Sequence, residues 1–227
     1  MNPHLEKLVR ALGRERREPL SAIAGKVLSN THAIACARLY LRGCDALGAR
    51  ARCFGRPHLE NHGHLVIGDD FATSSSFGTV LLATSPTGRI VFGNGVTINY
   101  GSAITAASNV WLGNRVMVGP YCVVADTEAP LVDDEQAMPI EIGDDVWLAG
   151  RVIVRPGSRI GAGAVIGAGS VVDGVIPPMA IASGAPARVL RVRRASEAPP
   201  RPADSNVTSI EAARARMPSA RSGSANL

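Results

Sequence analysis

"IEIGDDVWLAGRVIVRPGSRIGAGAVIGAGSVVDG" (residues 140–174) carries a large aliphatic residue at every sixth position: Ile142, Leu148, Val154, Ile160, Ile166 and Val172. Two positions before each of the last five stands a smaller residue, namely Val146, Val152, Ser158, Ala164 and Ser170. Side chains two apart on an extended strand share a face, so both positions point to the same side. Directly after four anchors come Gly143, Ala149, Gly161 and Gly167, small residues suited to a corner where a Cβ is unwelcome. Six residues therefore make one strand and one corner. Three such units close a triangle, so eighteen residues make one coil of a solenoid filled with Ile, Leu and Val.

Working outward, the same stride runs through Phe92, Ile98 and Ile104, then Leu112, Val118 and Val124. A weaker copy at Leu65, Ile67 and Gly68 is interrupted near "SPTG" (85–88). Val124 and Ile142 are eighteen residues apart, and "ADTEAPLVDDEQAMPIE" (125–141) between them is predicted to leave the prism as an acidic loop. These counts predict a mainly β chain with about six coils over residues 46–176 and an extension of the core over 177–194. Residues 1–45 read as a helical segment, with Leu5, Leu8, Val9 and Leu12 on one face and a break at Pro19. Asn30 or Thr31 is expected to cap a further helical stretch that ends at Gly43. After Arg194 the composition turns to Pro, Ser, Ala and Arg, which predicts a disordered tail over 195–227.

With 227 residues, 46% of them hydrophobic, the chain is long enough to bury a full core. No apolar run approaches the roughly 18 residues of a membrane span and no leader is recognisable, so a cytoplasmic protein is expected. Cys36, Cys44, Cys53 and Cys122 have neither CxxC spacing nor the density of a disulfide framework, which favours reduced structural thiols and suggests no metal site. The net charge of +5 and the cluster Arg188, Arg191, Arg193 and Arg194 admit a phosphate-bearing ligand or, equally, a solvated basic rim. Nucleic acid is a poor partner for a chain with only 4% aromatic residues and no reading motif.

The segment "IEIGDDVWLAGRVIVRPGSRIGAGAVIGAGSVVDGVIPPMAIASGAPARVLR" (140–191) resembles the C-terminal half of hexapeptide-repeat acyltransferases, the group of maltose, galactoside and nodulation-factor O-acetyltransferases and polysaccharide acetyltransferases. The resemblance implies a left-handed parallel β-helix, a homotrimer, and acetyl-CoA or another acyl-CoA as cosubstrate, held in the groove between neighbouring prisms. It implies no bound cofactor beyond this. The pantetheine arm would lie along Ala149, Gly150, Ala168, Ser183 and Gly184, with a backbone donor near Ala149 for the thioester oxygen. Arg188 matches the basic residue of the family's terminal "PARV" element and would face a phosphate. Asn99, in "INYGSAI", falls where related sugar acetyltransferases hold the acceptor hydroxyl; alternatively, an asparagine after an anchor simply tolerates a left-handed backbone.

Two departures from the family stand out. Its catalytic histidine is expected just after the start of the loop, where this chain reads Asp126, Thr127, Glu128, Ala129, Pro130, and no histidine follows His64. Three readings remain open: Asp126 or Glu128 serves as the base, a histidine of "RPHLENHGH" (56–64) reaches the groove, or catalysis is lost while scaffold and trimer persist. His62 and His64 share a strand face, which also admits metal ligation, but a third ligand is lacking. The second departure is Asp173 and Gly174, where the family often carries a cation near the coenzyme. Trp147 should point outward and pack against the loop or a neighbouring subunit.

Overall fold

The computed structural model describes residues 20–128, 136–194 and 197. The helix expected within 4–19, Ala129 and Pro130, and the tail from 195 apart from Glu197 lie outside them. The chain divides into two compact units, Met1–His32 and Ala33–Leu227. One uninterrupted helix spans Leu20–Tyr40, so Asn30 and Thr31 lie inside it and cap nothing. It ends at Tyr40 rather than at Gly43. In the larger unit, Ala37 and Leu41 of and after this helix are fully buried in one core cluster with Ala51 and Cys53 of the first coil and Leu65 of the second.

That unit is a parallel β-solenoid. Sheet A has seven strands, from Ala46–Leu47 to Val175–Ile176; sheet B has eight, from Arg52–Phe54 to Ala187–Val192; sheet C has six, from His58–Asn61 to Val171–Val172. The chain visits A, B and C in turn for six coils, then adds one strand to A and a hairpin to B. Among the described residues only that hairpin, Ala180–Gly184 with Ala187–Val192, is antiparallel. The anchors Ile142, Leu148, Ile166 and Val172 and their small partners Val146, Val152, Ser158, Ala164 and Ser170 have no exposed surface. The two serines remain satisfied inside, Ser158 Oγ donating to Val172 O (3.1 Å) and Ser170 Oγ to Gly167 O (2.7 Å).

The coil length departs from eighteen. Stacked anchors Leu47, Ile67, Phe92, Leu112, Ile142, Ile160 and Ile176 are separated by 20, 25, 20, 30, 18 and 16 residues. The strands keep register because the additions fall at the edges of the prism. Most leave between sheets C and A (edge CA), where both "SPTG" and the acidic loop emerge. One more enlarges the second coil between sheets B and C (edge BC), around Phe77.

The edge between sheets A and B (edge AB) shows how a corner is built. Glycines 68, 93, 113 and 143 follow the anchors because there is no room for more: a Cβ on Gly143 would stand 2.6 Å from Ala162 N. Next come Asp69, Asn94, Asn114 and Asp144. Each side chain accepts the amide of the residue one coil earlier, from Ala49 (2.7 Å), Asp69 (2.8 Å), Asn94 (2.9 Å) and Asn114 (2.7 Å). The left-handed residue comes third after the anchor: Asp70 (φ 57°), Gly95 (φ 71°), Arg115 (φ 55°) and Asp145 (φ 57°). Opposite charges stack along this column, Arg50 on Asp70 and Arg115 on Asp145, both at 2.6 Å.

Candidate functional site

Edge BC brings the small residues of the sequence reading into one column. Register along sheet B places Asn99, Gly119, Ala149, Gly167 and Ser183 above one another, followed by Tyr100, Pro120, Gly150, Ala168 and Gly184. The positive φ falls at Gly101 (69°), so Asn99 is not there to relieve a left-handed backbone. Its Nδ2 donates to Val118 O (2.9 Å), while its Oδ1 has no partner among the described residues.

The amide of Ala149 is unavailable as an oxyanion donor, because it donates to Ile166 O (2.9 Å). The next amides differ. Those of Gly150 and Ala168 have no acceptor among the described residues, since edge BC carries no Asx side chain like those of edge AB. Between coils, Pro120 has no amide at all. The column thus presents unpaired N–H donors at Tyr100, Gly150 and Ala168, the last two 18 residues apart, stacked in register and flanked in sequence by Ala149 and Gly167. Below it lies Cys122, whose Sγ donates to Ala149 O (3.0 Å) and whose thiol burial pushes up to about 11, too high for a nucleophile at neutral pH.

At the far end Ser183 pairs in register with Arg188, which is exposed and makes no ion pair among the described residues. The rest of the arginine cluster divides. Arg191 is paired with Glu197 (2.9 Å), and Arg193 is buried, donating to the carbonyls of Gly163 and Glu197. Beside the near end, Phe77, Tyr100 and Tyr121 form an edge-to-face stack with centroids 5.6 and 5.5 Å apart.

Edge CA holds the carboxylates. Asp126 is fully buried, and its Oδ1 and Oδ2 accept the amides of Ala107 and Ser108, both at 2.8 Å. Thr84 does the same two coils lower in the ladder, its Oγ1 accepting the amides of His62 (3.1 Å) and Gly63 (3.0 Å). Asp126 is therefore a coil-to-coil cap, and with no exposed surface it does not meet an acceptor hydroxyl. Glu128 is exposed, and its Oε1 accepts Arg155 Nη2 (2.8 Å), whose Nη1 also reaches Asp173 (3.0 Å). The two carboxylates hold the Arg155 guanidinium protonated. Asp173 lies on this edge, not on the small-residue column, and its charge is paired. A hollow of about 230 Å³ opens here between Thr127, Glu128, Gln136, Met138, Arg155 and Asp173.

The histidines sit on the first coils. His58 Nε2 is 2.6 Å from Glu60 Oε1, and His64 Nδ1 is 3.5 Å from Asp45. His58 lines a second hollow, of about 760 Å³, in which Asn99 takes no part. Among the described residues no three His, Cys, Asp or Glu side chains converge on a metal-sized site. None of the helices there is long and apolar enough to cross a membrane. Trp147 is half-buried on the outer face of sheet B.

Residues 139–174 match the family model "Bacterial transferase hexapeptide (six repeats)". The chain is 34% identical over 109 residues to the galactoside O-acetyltransferase of Escherichia coli K12, covering 45% of its own length and 54% of the relative. To the galactoside O-acetyltransferase of Lactococcus lactis it is 36% identical over 109 residues, covering 45% and 53%. It therefore spans about half the length of the relatives it matches. Among solved structures, a mutant of the N-acyltransferase AntD from Bacillus cereus, in complex with dTDP and coenzyme A, superposes with a TM-score of 0.57. That pair shares 18% identity, covers 69% of this chain and 88% of the other, and speaks for the fold alone.

Proposed function

We propose that this protein is an acyl-CoA-dependent O-acyltransferase, with acetyl-CoA as donor and a sugar or small-molecule hydroxyl as acceptor, working as a cytoplasmic homotrimer. The observation that supports it most is the pair of unpaired amides at Gly150 and Ala168, each preceded by a residue no larger than alanine. Amides so placed can hold the carbonyls of a pantetheine arm and of its thioester without reorganising. Ser183 and Gly184 continue the track, and Arg188 at its end suits a coenzyme phosphate. Asn99 Oδ1 can accept the acceptor's hydroxyl proton in a hydrogen bond. Attack by that oxygen forms the ester C–O bond, breaks the C–S bond, and passes the hydroxyl proton to the departing thiolate.

Asp126 has no place in this scheme. Glu128 is the carboxylate left to assist, and its pairing with Arg155 occupies one oxygen. A general base contributes about 10²- to 10⁴-fold, whereas positioning of two substrates supplies up to about 7–11 kcal/mol, so this site would work mainly by positioning. A second reading, a trimer that binds acyl-CoA without transfer, is favoured by the burial of Asp126 and the ion pairing of Glu128. Thiol release from acetyl-CoA against a panel of hydroxyl acceptors, run beside acetyl-CoA binding, decides between them. Acceptor-dependent release supports the enzyme, binding without release supports the second reading, and neither binding nor release rejects both.

A further inference from the structure

The larger hollow joins apolar and basic side chains. It is lined by the apolar Leu39, Pro57 and Leu59 and by Tyr40, Arg42, Arg56 and His58. Along the prism, Arg50, Arg115, Arg155 and Arg159 each have a carboxylate partner from a neighbouring coil. Arg42 and Arg56 have none, nor any hydrogen bond, among the described residues. They come from separate segments, the turn after the helix and the first BC corner, and meet at one concavity. The carboxylate of Glu60 is turned to His58 Nε2 (2.6 Å), which fixes the imidazole.

We infer that this hollow binds a phosphorylated small molecule, its phosphate held by Arg42 and Arg56 and its ring-sized body laid on the apolar lining. Two unpaired guanidiniums offer the planar, multiple donors that phosphate oxygens accept. A volume of about 760 Å³ suits a sugar phosphate or nucleotide rather than a bare anion. The proposal does not depend on acyl transfer, because the hollow shares no residue with the Gly150 and Ala168 track.

The test is a titration of the full chain, free of coenzyme, with inorganic pyrophosphate, following the His58 ring resonances by NMR, assigned with His58→Gln. A saturable shift is expected. Arg42→Gln and Arg56→Gln should each weaken it by about tenfold or more, while Arg115→Gln and Arg188→Gln leave it unchanged. Glucose 1-phosphate should bind more tightly than inorganic phosphate through the apolar lining. An unmoved His58 signal, or unchanged affinity in both hollow variants, overturns the proposal. Equal binding of the two phosphates overturns the role of that lining. If only Arg188→Gln removes binding, the anion sits at the end of edge BC, and the hollow proposal falls while the acyl-CoA reading stands.

Discussion

Edges AB and BC solve the same geometric problem with opposite chemistry. Both turn the chain through a corner of the prism, and both give the first amide after the anchor to the next coil, as Gly113 N does to Ile142 O (2.7 Å) and Ala149 N to Ile166 O (2.9 Å). The second amide separates them. On edge AB an Asp or Asn side chain closes it at Ala49, Asp69, Asn94 and Asn114, and ion pairs cover the outside, whereas the amides of Asp144 and Ala162 in the last two coils have no acceptor among the described residues. On edge BC small residues and a proline leave Gly150 and Ala168 open. From Tyr100 to Ala168 edge BC closes none of these amides with a side chain, so a ligand can supply the missing acceptors along its whole length.

The largest effect that would sharpen this contrast lies on the third edge. Asp126→Ala leaves two buried amides without acceptors and should lower stability by about 3 kcal/mol in a denaturant melt. A loss of activity at unchanged stability would instead restore Asp126 to the chemistry. On edge AB, Gly143→Ala forces a Cβ against the backbone of the next coil and should cost about 2 kcal/mol. Asn114→Ala removes one acceptor from the Asx ladder, for a cost of about 1 kcal/mol. Gly150→Ala should cost under about 0.5 kcal/mol, because the nearest atoms to its Cβ are those of Pro120, none closer than 3.4 Å. Equal destabilisation by Gly143→Ala and Gly150→Ala would erase the distinction between the edges.

Much of this was legible in the sequence. Anchors from Ile142 to Val172 and their small partners fell where the six-residue stride put them, because interior packing admits one side chain per layer. Eighteen-residue coils did not hold upstream, since strands tolerate additions at corners without losing register. The recurring "GDD", "GNG" and "GNR" after Ile67, Phe92 and Leu112 carried the edge AB ladder, yet a short motif does not say which amide it faces. Asp126 shows the same limit. A carboxylate at the start of a loop reads alike whether it faces solvent or two backbone amides. The small residues of edge BC were legible as a set, but the free donors at Gly150 and Ala168 follow from what is absent opposite them, which only the stacked coils reveal.

The most direct measurement is a ¹⁵N–¹H titration of the full chain with coenzyme A. The account predicts saturable shifts at the Gly150 and Ala168 amides, with those of Asn94 and Asn114 on edge AB unmoved. Shifts confined to edge AB, or none at Gly150 and Ala168 under saturating coenzyme, would contradict it.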